Sequence, residues 1–245
     1  MNKYLKKTGR PITLLFALTL FVACDESEPE NQITDYDGNI YTSVIIGDQE
    51  WMVENIKVTH YRNGDTIQYV QSESSEPNVW ENLNTGAYCY YNDEQAHQNT
   101  YGNLYNWYAV DDSRKVAPDG WHVPTDTEWK ELEMALGMSQ SQANESGYRG
   151  TNEGRKLAGN AELWEEYAVE NDSVFGTSGF TALPSGSRYY HSGDYFYMGG
   201  RTYFWSSSEY DSSIAWFRLL YYYPSVVTRN DANKRNGFAI RCVRD

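Results

Sequence analysis

Short apolar runs broken by turn residues fill most of the chain, and the spacing within each run states which element it forms. Asp37-Gly38 marks a turn, residues 41–46 form a strand-like run, and Gly47-Asp48-Gln49 reverses the chain. Residues 50–58 then continue with Trp51 and Val53 alternating, which predicts a hairpin. Asn63-Gly64, between residues 59–62 and 65–70, predicts a second hairpin, followed by a polar loop over 71–78. Helical spacing is rarer. Thr125 stands three residues before Glu128, the capping-box interval, and Trp129, Leu132 and Leu136 then share one stripe that ends at Gly137, predicting a helix over 126–136. A shorter helix is predicted over 101–110, where Leu104, Tyr105 and Tyr108 share a face. In the last third, runs at 179–184, 195–198, 203–206, 215–223 and 238–243 read as strands. Alternation in the last of these sends Phe238, Ile240 and Cys242 to the core. Without a solenoid-period repeat or an internal linker, residues 35–245 are expected to form one β-rich α+β domain with two or so short helices and long loops.

The first thirty residues follow another pattern. Lys3, Lys6, Lys7 and Arg10 precede an apolar stretch over 12–22, broken only by Thr13 and Thr19. A bilayer needs about 20 residues of helix, so this stretch is too short to span one and has the size of a signal-peptide core. The following Phe21-Val22-Ala23-Cys24 resembles the lipobox at which bacterial lipoproteins are cleaved and lipidated, with Phe21 where leucine is usual. On this reading residues 1–23 are a signal peptide and Cys24 becomes the lipidated first residue; the alternative is an ordinary cleaved leader with a chance cysteine. Residues 24–34 begin with the acidic, apolar-free run Asp25-Glu26-Ser27-Glu28-Pro29-Glu30-Asn31-Gln32 and read as a flexible tether. Fully extended it would reach about 35 Å at ~3.3 Å per residue. The acidic run is similar to an export tag for the outer face of the outer membrane, and it also reads as a plain solvated spacer.

Charge narrows the partners. The net charge of −14 becomes −18 when cleavage removes four basic and no acidic groups, so a phosphate backbone is repelled and nucleic acid is a poor partner. An exported chain meets oxidising conditions, and the two cysteines left beside Cys24 suggest a disulfide between Cys89 and Cys242; two buried free thiols are the alternative. The four histidines show no zinc spacing, and Gly176-Thr177-Ser178-Gly179 fails the nucleophile-elbow pattern. Asp35-Tyr36-Asp37-Gly38-Asn39 is similar to a calcium loop but has Ile46 at the twelfth position, so a plain turn is expected. His122, between Trp121 and Val123, reads as a hydrogen-bonded structural histidine. No cofactor or metal site is assigned.

Several segments carry a family resemblance. They are Asp37-Gly38-Asn39 with Tyr41, the stretch Ile46-Gly47-Asp48-Gln49-Glu50-Trp51-Met52-Val53-Glu54-Asn55, and Tyr101-Gly102-Asn103-Leu104-Tyr105-Asn106-Trp107. Pro118-Asp119-Gly120-Trp121-His122-Val123-Pro124-Thr125 follows, then Gly150-Thr151-Asn152-Glu153-Gly154, Gly179-Phe180-Thr181-Ala182-Leu183-Pro184 and Phe204-Trp205-Ser206-Ser207-Ser208. The series closes with Gly237-Phe238-Ala239-Ile240-Arg241-Cys242-Val243. Together and in order they resemble the Fibrobacter succinogenes major paralogous domain, a family of exported bacterial proteins. The resemblance implies a C-type-lectin-like fold, shared with formylglycine-generating enzymes, and no assigned activity. Many relatives carry a cysteine just before the Pro-x-Gly-Trp-His motif, where this chain has Ala117. The calcium-and-sugar triplet of lectins has a letter match at Glu76-Pro77-Asn78, but too early in the chain to correspond.

What remains is aromatic. Twenty-two tyrosines exceed what an alternating core face absorbs, and they crowd the C-terminal third. Trp216 and Tyr222 share one strand parity; Phe217, Tyr221 and Tyr223 share the other. These rings either pack a β-rich core or form a binding face. The binding reading expects an outer-membrane, outward-facing lipoprotein, attached through its lipid alone, that recognises a glycan or protein ligand without catalysis. Its ligand-binding residues would be Tyr190, Tyr195, Tyr222, Arg229 and Asn230, supplying rings, a guanidinium and an amide. The alternative is a carbohydrate-active enzyme or an accessory subunit of polysaccharide processing.

Overall fold

A computed structural model of the chain describes Met1 and residues 32–72, 79–165, 173–221 and 225–245. Cys24, the leader, most of the tether, the triplet at 76–78 and Tyr222 lie outside the described residues. In chain order the strands of the first half are β1 (Ile33–Thr34), β2 (Ile40–Tyr41), β3 (Ser43–Ile46), β4 (Gln49–Met52), β5 (Gln68–Tyr69), β6 (Ala87–Cys89), β7 (Leu104–Tyr105), β8 (Trp121–His122) and β9 (Gly147–Arg149). The second half adds β10 (Ser185–Arg188), β11 (Tyr195–Met198), β12 (Arg201–Glu209), β13 (Ile214–Tyr221), β14 (Val227–Asn233) and β15 (Val243–Arg244). Among the described residues five short α-helices interrupt them: α1 (Ala96–Tyr101), α2 (Trp107–Asp111), α3 (Asp126–Ala135), α4 (Gln140–Asn144) and α5 (Glu153–Leu157). The fold is α+β and β-rich, as the run lengths implied.

A six-stranded sheet in the order β11-β10-β12-β13-β14-β9 forms the framework, and its β12-β13-β14 meander is antiparallel throughout. Alternation divides its side chains between two cores. Phe204, Leu220 and Val227 face α3 and pack with Trp129, Leu132 and Trp51. Tyr203, Trp205, Phe217 and Leu219 face the other way, onto Phe238, Ile240 and Tyr105. A second sheet, β3-β4-β15-β8, begins with the expected hairpin, where Ile46 pairs with Gln49 across a turn containing Gly47 at φ +62°. A Cβ at Gly47 would stand 2.8 Å from Ala135, so the hairpin turn packs directly on the end of α3.

Helix α3 follows its local chemistry closely. Thr125 accepts from the Glu128 amide while the Glu128 side chain accepts from the Thr125 amide, and Gly137 sits at φ +117° after the last turn. The expected helix over 101–110 is instead divided into α1, β7 and α2. Gly102 at φ +75° ends α1. Leu104 and Tyr105 are drawn into pairing with Cys89 and Tyr88, and Asn106 then caps α2 by accepting from the Ala109 amide. The strand expected at 179–184 is also absent among the described residues. Thr181 adopts φ +54°, and the segment makes one bridge, Ala158 to Ala182. Of the expected strand at 238–243, Phe238 and Ala239 make isolated bridges, residues 240–242 make none, and Val243 begins β15. Arg241 there is wholly buried and donates to the Asn55 side chain and to the Met52 and Phe180 carbonyls; burial lowers its pKa to about 9.

The expected Cys89–Cys242 disulfide is not formed. Both are free, buried thiols in different clusters: Cys89 packs with Val70, Trp80 and Leu104, whereas Cys242 packs with Phe238 and Ile240. The cluster of Cys242 also contains Ala117, the position at which the resemblance places a cysteine in many relatives. Burial raises the Cys89 pKa to about 11 and raises that of Cys242 as well.

Candidate functional site

The hairpin of β10 and β11 lies at one edge of the six-stranded sheet, and its tip is pinned from below. Arg188 is buried, with its guanidinium 4.2 Å from the Trp80 ring, and donates to the Gly193 carbonyl at 3.0 Å and the Val70 carbonyl at 2.5 Å. The turn above closes through the Tyr189 amide on the Asp194 carbonyl and the Gly193 amide on the Tyr189 carbonyl. This support holds rings outward. Tyr189, Phe196 and Tyr197 are 43%, 38% and 49% exposed, and Tyr190 is half-buried beside them.

These rings form a continuous strip. Tyr190 lies 4.9 Å from Tyr189, Tyr189 6.4 Å from Phe196, and Phe196 5.7 Å from Tyr197. Neighbours along a strand ordinarily point to opposite faces; here Tyr197 adopts φ +69°, a costly conformation for a bulky residue, and its ring stays with that of Phe196. Arg201 continues the strip, its guanidinium 3.8 Å from the Tyr197 ring and 4.5 Å from the Tyr221 ring, with Tyr203 accepting at 3.4 Å. Arg201 and Tyr203 share a sheet face with Tyr221, and Asn230 one strand beyond Tyr221 and Tyr148 two strands beyond belong to that face. Burial raises the Tyr203 pKa, and the nearby Tyr197 and Tyr148 hydroxyls contribute to the rise.

The five expected ligand residues are therefore separated. Tyr190 belongs to the strip, and Asn230 is exposed on the Arg201 face of the sheet. Tyr195 points the other way: half-buried, it donates to Asp93 at 2.7 Å and packs 5.3 Å from Tyr91. Arg229 is buried, bidentate on Asp126 at 2.7 and 2.8 Å, and stacked 3.6 Å from Trp216. It is a structural cation, and its role as a ligand contact is withdrawn. Asp126 also receives Arg218 and Lys130, while Glu133 receives Arg149 and Arg218, so two carboxylates are shared among four cations between α3 and the sheet. Tyr222 lies outside the described residues. Tyr148, Phe196, Tyr197 and Arg201 were not among those five; Phe196 and Tyr197 fall in the aromatic run legible at 195–198, whereas only strand register, which has no local signature, brings Arg201 and Tyr148 to the same face.

Concave chemistry lies elsewhere. A cleft of about 280 Å³ is lined by Arg62, Lys115, Trp121, His122, Ser207 and Asp245 among others, and it adjoins a hollow of about 160 Å³ at Tyr36, His60 and Asp119. His122 holds Glu128 through Nε2 and Asp245 through Nδ1, each at 2.7 Å. The hydrogen bond to Glu128, joined by that to Asp245, raises the histidine pKa against the opposing effect of burial. With both ring nitrogens committed to carboxylates, His122 ties β8 to α3 and to the residue that follows β15, and has no nitrogen free to act as a base. Arg62 is likewise spent, on the carbonyls of Ala117, Pro118 and Trp121. The Asp35 carboxylate is consumed by its own turn, accepting from the Asp37 and Asn39 amides and from the Tyr41 hydroxyl. Among the described residues no group of three metal-ligating side chains converges.

No match to a curated protein or to a solved structure is found. Residues 44–244 match the family described as the Fibrobacter succinogenes major domain, and with most of its length inside that match the chain belongs to this family.

Proposed function

We propose that the chain is an outer-membrane lipoprotein, facing outward, whose C-type-lectin-like domain is a non-enzymatic recognition or adhesion module for a glycan or protein ligand. The observation that carries this reading is the exposed strip of Tyr189, Tyr190, Phe196 and Tyr197 on a pinned hairpin. Rings on a rigid support offer contact area at low entropic cost, and contiguous exposed aromatics rimmed by polar groups are characteristic of binding surfaces. The leader and the acidic tether favour the address, and the spent groups around His122 favour binding over catalysis.

Glycan-array and cell-adhesion assays on the full lipoprotein test this reading. Tyr189→Ala and Phe196→Ala are each expected to weaken binding by about 2 kcal/mol, roughly thirtyfold, at nearly unchanged melting temperature. Unfolding without selective loss would place these rings in the core, and turnover of a bound glycan on long incubation would replace recognition with catalysis. For the address, Cys24→Ala should abolish fatty-acid labelling and release the protein from membranes.

A further inference from the structure

Arg201 stands out among the arginines of this acidic chain. Arg114, Arg149, Arg218 and Arg229 each hold a carboxylate, and Arg188 and Arg241 are sealed in the interior on backbone carbonyls. Arg201, among the described residues, has no carboxylate within 4 Å; tyrosine hydroxyls are its acceptors, and its Nε is buried without a partner. The residue as a whole is half-buried, and of its three guanidinium nitrogens only Nε is both buried and unpaired. The rings of Tyr197 and Tyr221 cover the guanidinium, which leaves its edge as the direction of approach.

We propose that Arg201, with Tyr148, Tyr197, Tyr203 and Tyr221, forms the subsite for the carboxylate of an acidic sugar residue. This rests on the recognition reading above and names the ligand chemistry of the same surface. A guanidinium fixed by stacked rings presents parallel N–H donors that match a carboxylate bidentately, which a lysine at this place would not. The hydroxyls of the exposed Tyr148 and Tyr197 offer donors and acceptors for sugar hydroxyls, and the strip running through Phe196 to Tyr189 supplies flat apolar surface for pyranose rings. Tyr197 is held at φ +69° while keeping its ring against both Phe196 and Arg201, so backbone strain is tolerated where the strip meets the cation. The net charge, −14 for the full chain and −18 once the four basic groups of the leader are removed, does not forbid an anionic ligand here. At physiological ionic strength the Debye length is about 8 Å, so distant carboxylates are screened while the contact with Arg201 is not.

The test titrates the full lipoprotein in detergent with uronate oligosaccharides (oligogalacturonate, alginate and hyaluronan fragments) and with the methyl ester of each binder. The acid form is expected to bind about tenfold to a hundredfold more tightly than its ester, the range of a charge-assisted hydrogen-bonded contact. Arg201→Gln should remove that difference, Arg201→Lys should restore it in part, and Tyr148→Phe should weaken the acid form several-fold. Equal affinity for acid and ester overturns the carboxylate inference while leaving glycan recognition intact. Polyglutamate competing as well as the uronates overturns the choice of a sugar. Binding of none of the uronates overturns the proposal, and the Tyr189 and Phe196 variants on the array then decide the broader reading separately. Should Arg201→Gln unfold, the acid–ester comparison on the unsubstituted protein still decides.

Discussion

Replacing Asp126 with asparagine would remove one of the two carboxylates that four buried or half-buried cations share. Asp126 accepts from Arg218 at 2.9 Å, from Arg229 at 2.8 and 2.7 Å, and stands 3.0 Å from Lys130; Glu133 accepts from Arg149 and Arg218. After the change Arg218 keeps Glu133, but Arg229 loses its anionic partner and is left with a neutral amide oxygen at position 126, the Trp216 ring, the Ser146 hydroxyl at 3.4 Å and backbone carbonyls at 3.4 and 3.5 Å. Stranding a buried charge costs about 3–5 kcal/mol, against about 1–3 kcal/mol for losing a hydrogen-bond donor from a carboxylate that keeps other partners. At about 2–4 °C per kcal/mol for a domain of this size, Asp126→Asn should lower the melting temperature by roughly 6–20 °C. Arg229→Met should lower it less, because Asp126 keeps Arg218 and Lys130. Circular dichroism melts with guanidinium titrations at neutral pH measure both. A shift under about 3 °C for Asp126→Asn would refute the network's role. Loss of ligand binding in Arg229→Met at unchanged melting would return Arg229 to the binding surface.

Acid titration should show the same network. Burial opposes ionisation of Asp126, but Arg229, Arg218 and Lys130 outweigh it and hold its pKa well below the usual value. Its contribution is therefore present above about pH 4 and lost as pH falls through the lower folded value, a slope that Asp126→Asn should diminish. His122 runs oppositely: its pKa is raised, so its contribution is complete below about pH 6.5 and fades as pH climbs through the folded value. Melting curves across pH 5–9 should diverge least from those of His122→Asn at the alkaline end. Gly186→Ala should destabilise by more than about 1 kcal/mol, because its Cβ would meet Tyr91 at 2.5 Å and the Phe196 carbonyl at 2.7 Å at a φ of +65°. Cys89 and Cys242 should resist a thiol reagent in the native protein and both react in guanidinium without reductant; protection there would instead reveal a bond between them.

Elements written in neighbouring residues were legible. The Thr125–Glu128 box, the Gly47 turn and the inward parity of Cys242 are each decided within a few positions, and the structure has them as the pattern implies. Residues 101–110 misled because Leu104 and Tyr105 are buried in a helix or a strand alike. What chose the strand was pairing with Tyr88 and Cys89, together with Asn103 donating to the Lys57 carbonyl, neither of which has a local signature. Arg229 misled for the same reason at longer range. Beside aromatic and amide residues it resembles a ligand contact, and its partner Asp126 stands 103 positions earlier. Arg201 escaped notice because its cage joins three strands, and only their register brings those tyrosines together.

Hairpin β10–β11 also bears on self-association, because it displays rings on a sheet edge. An outermost strand with free amides and exposed aromatics invites a second chain to add alongside, the route by which sheets grow into fibres. Here Tyr197, within the outermost strand β11, is left-handed, which breaks the regular row of amides and carbonyls a newcomer would need, and Gly186 on β10 is left-handed opposite it. The opposite border, β9, is three residues long. Side chains on such an edge remain available for contact while its backbone is a poor template, so the surface can be sticky toward a ligand without being sticky toward its own copies.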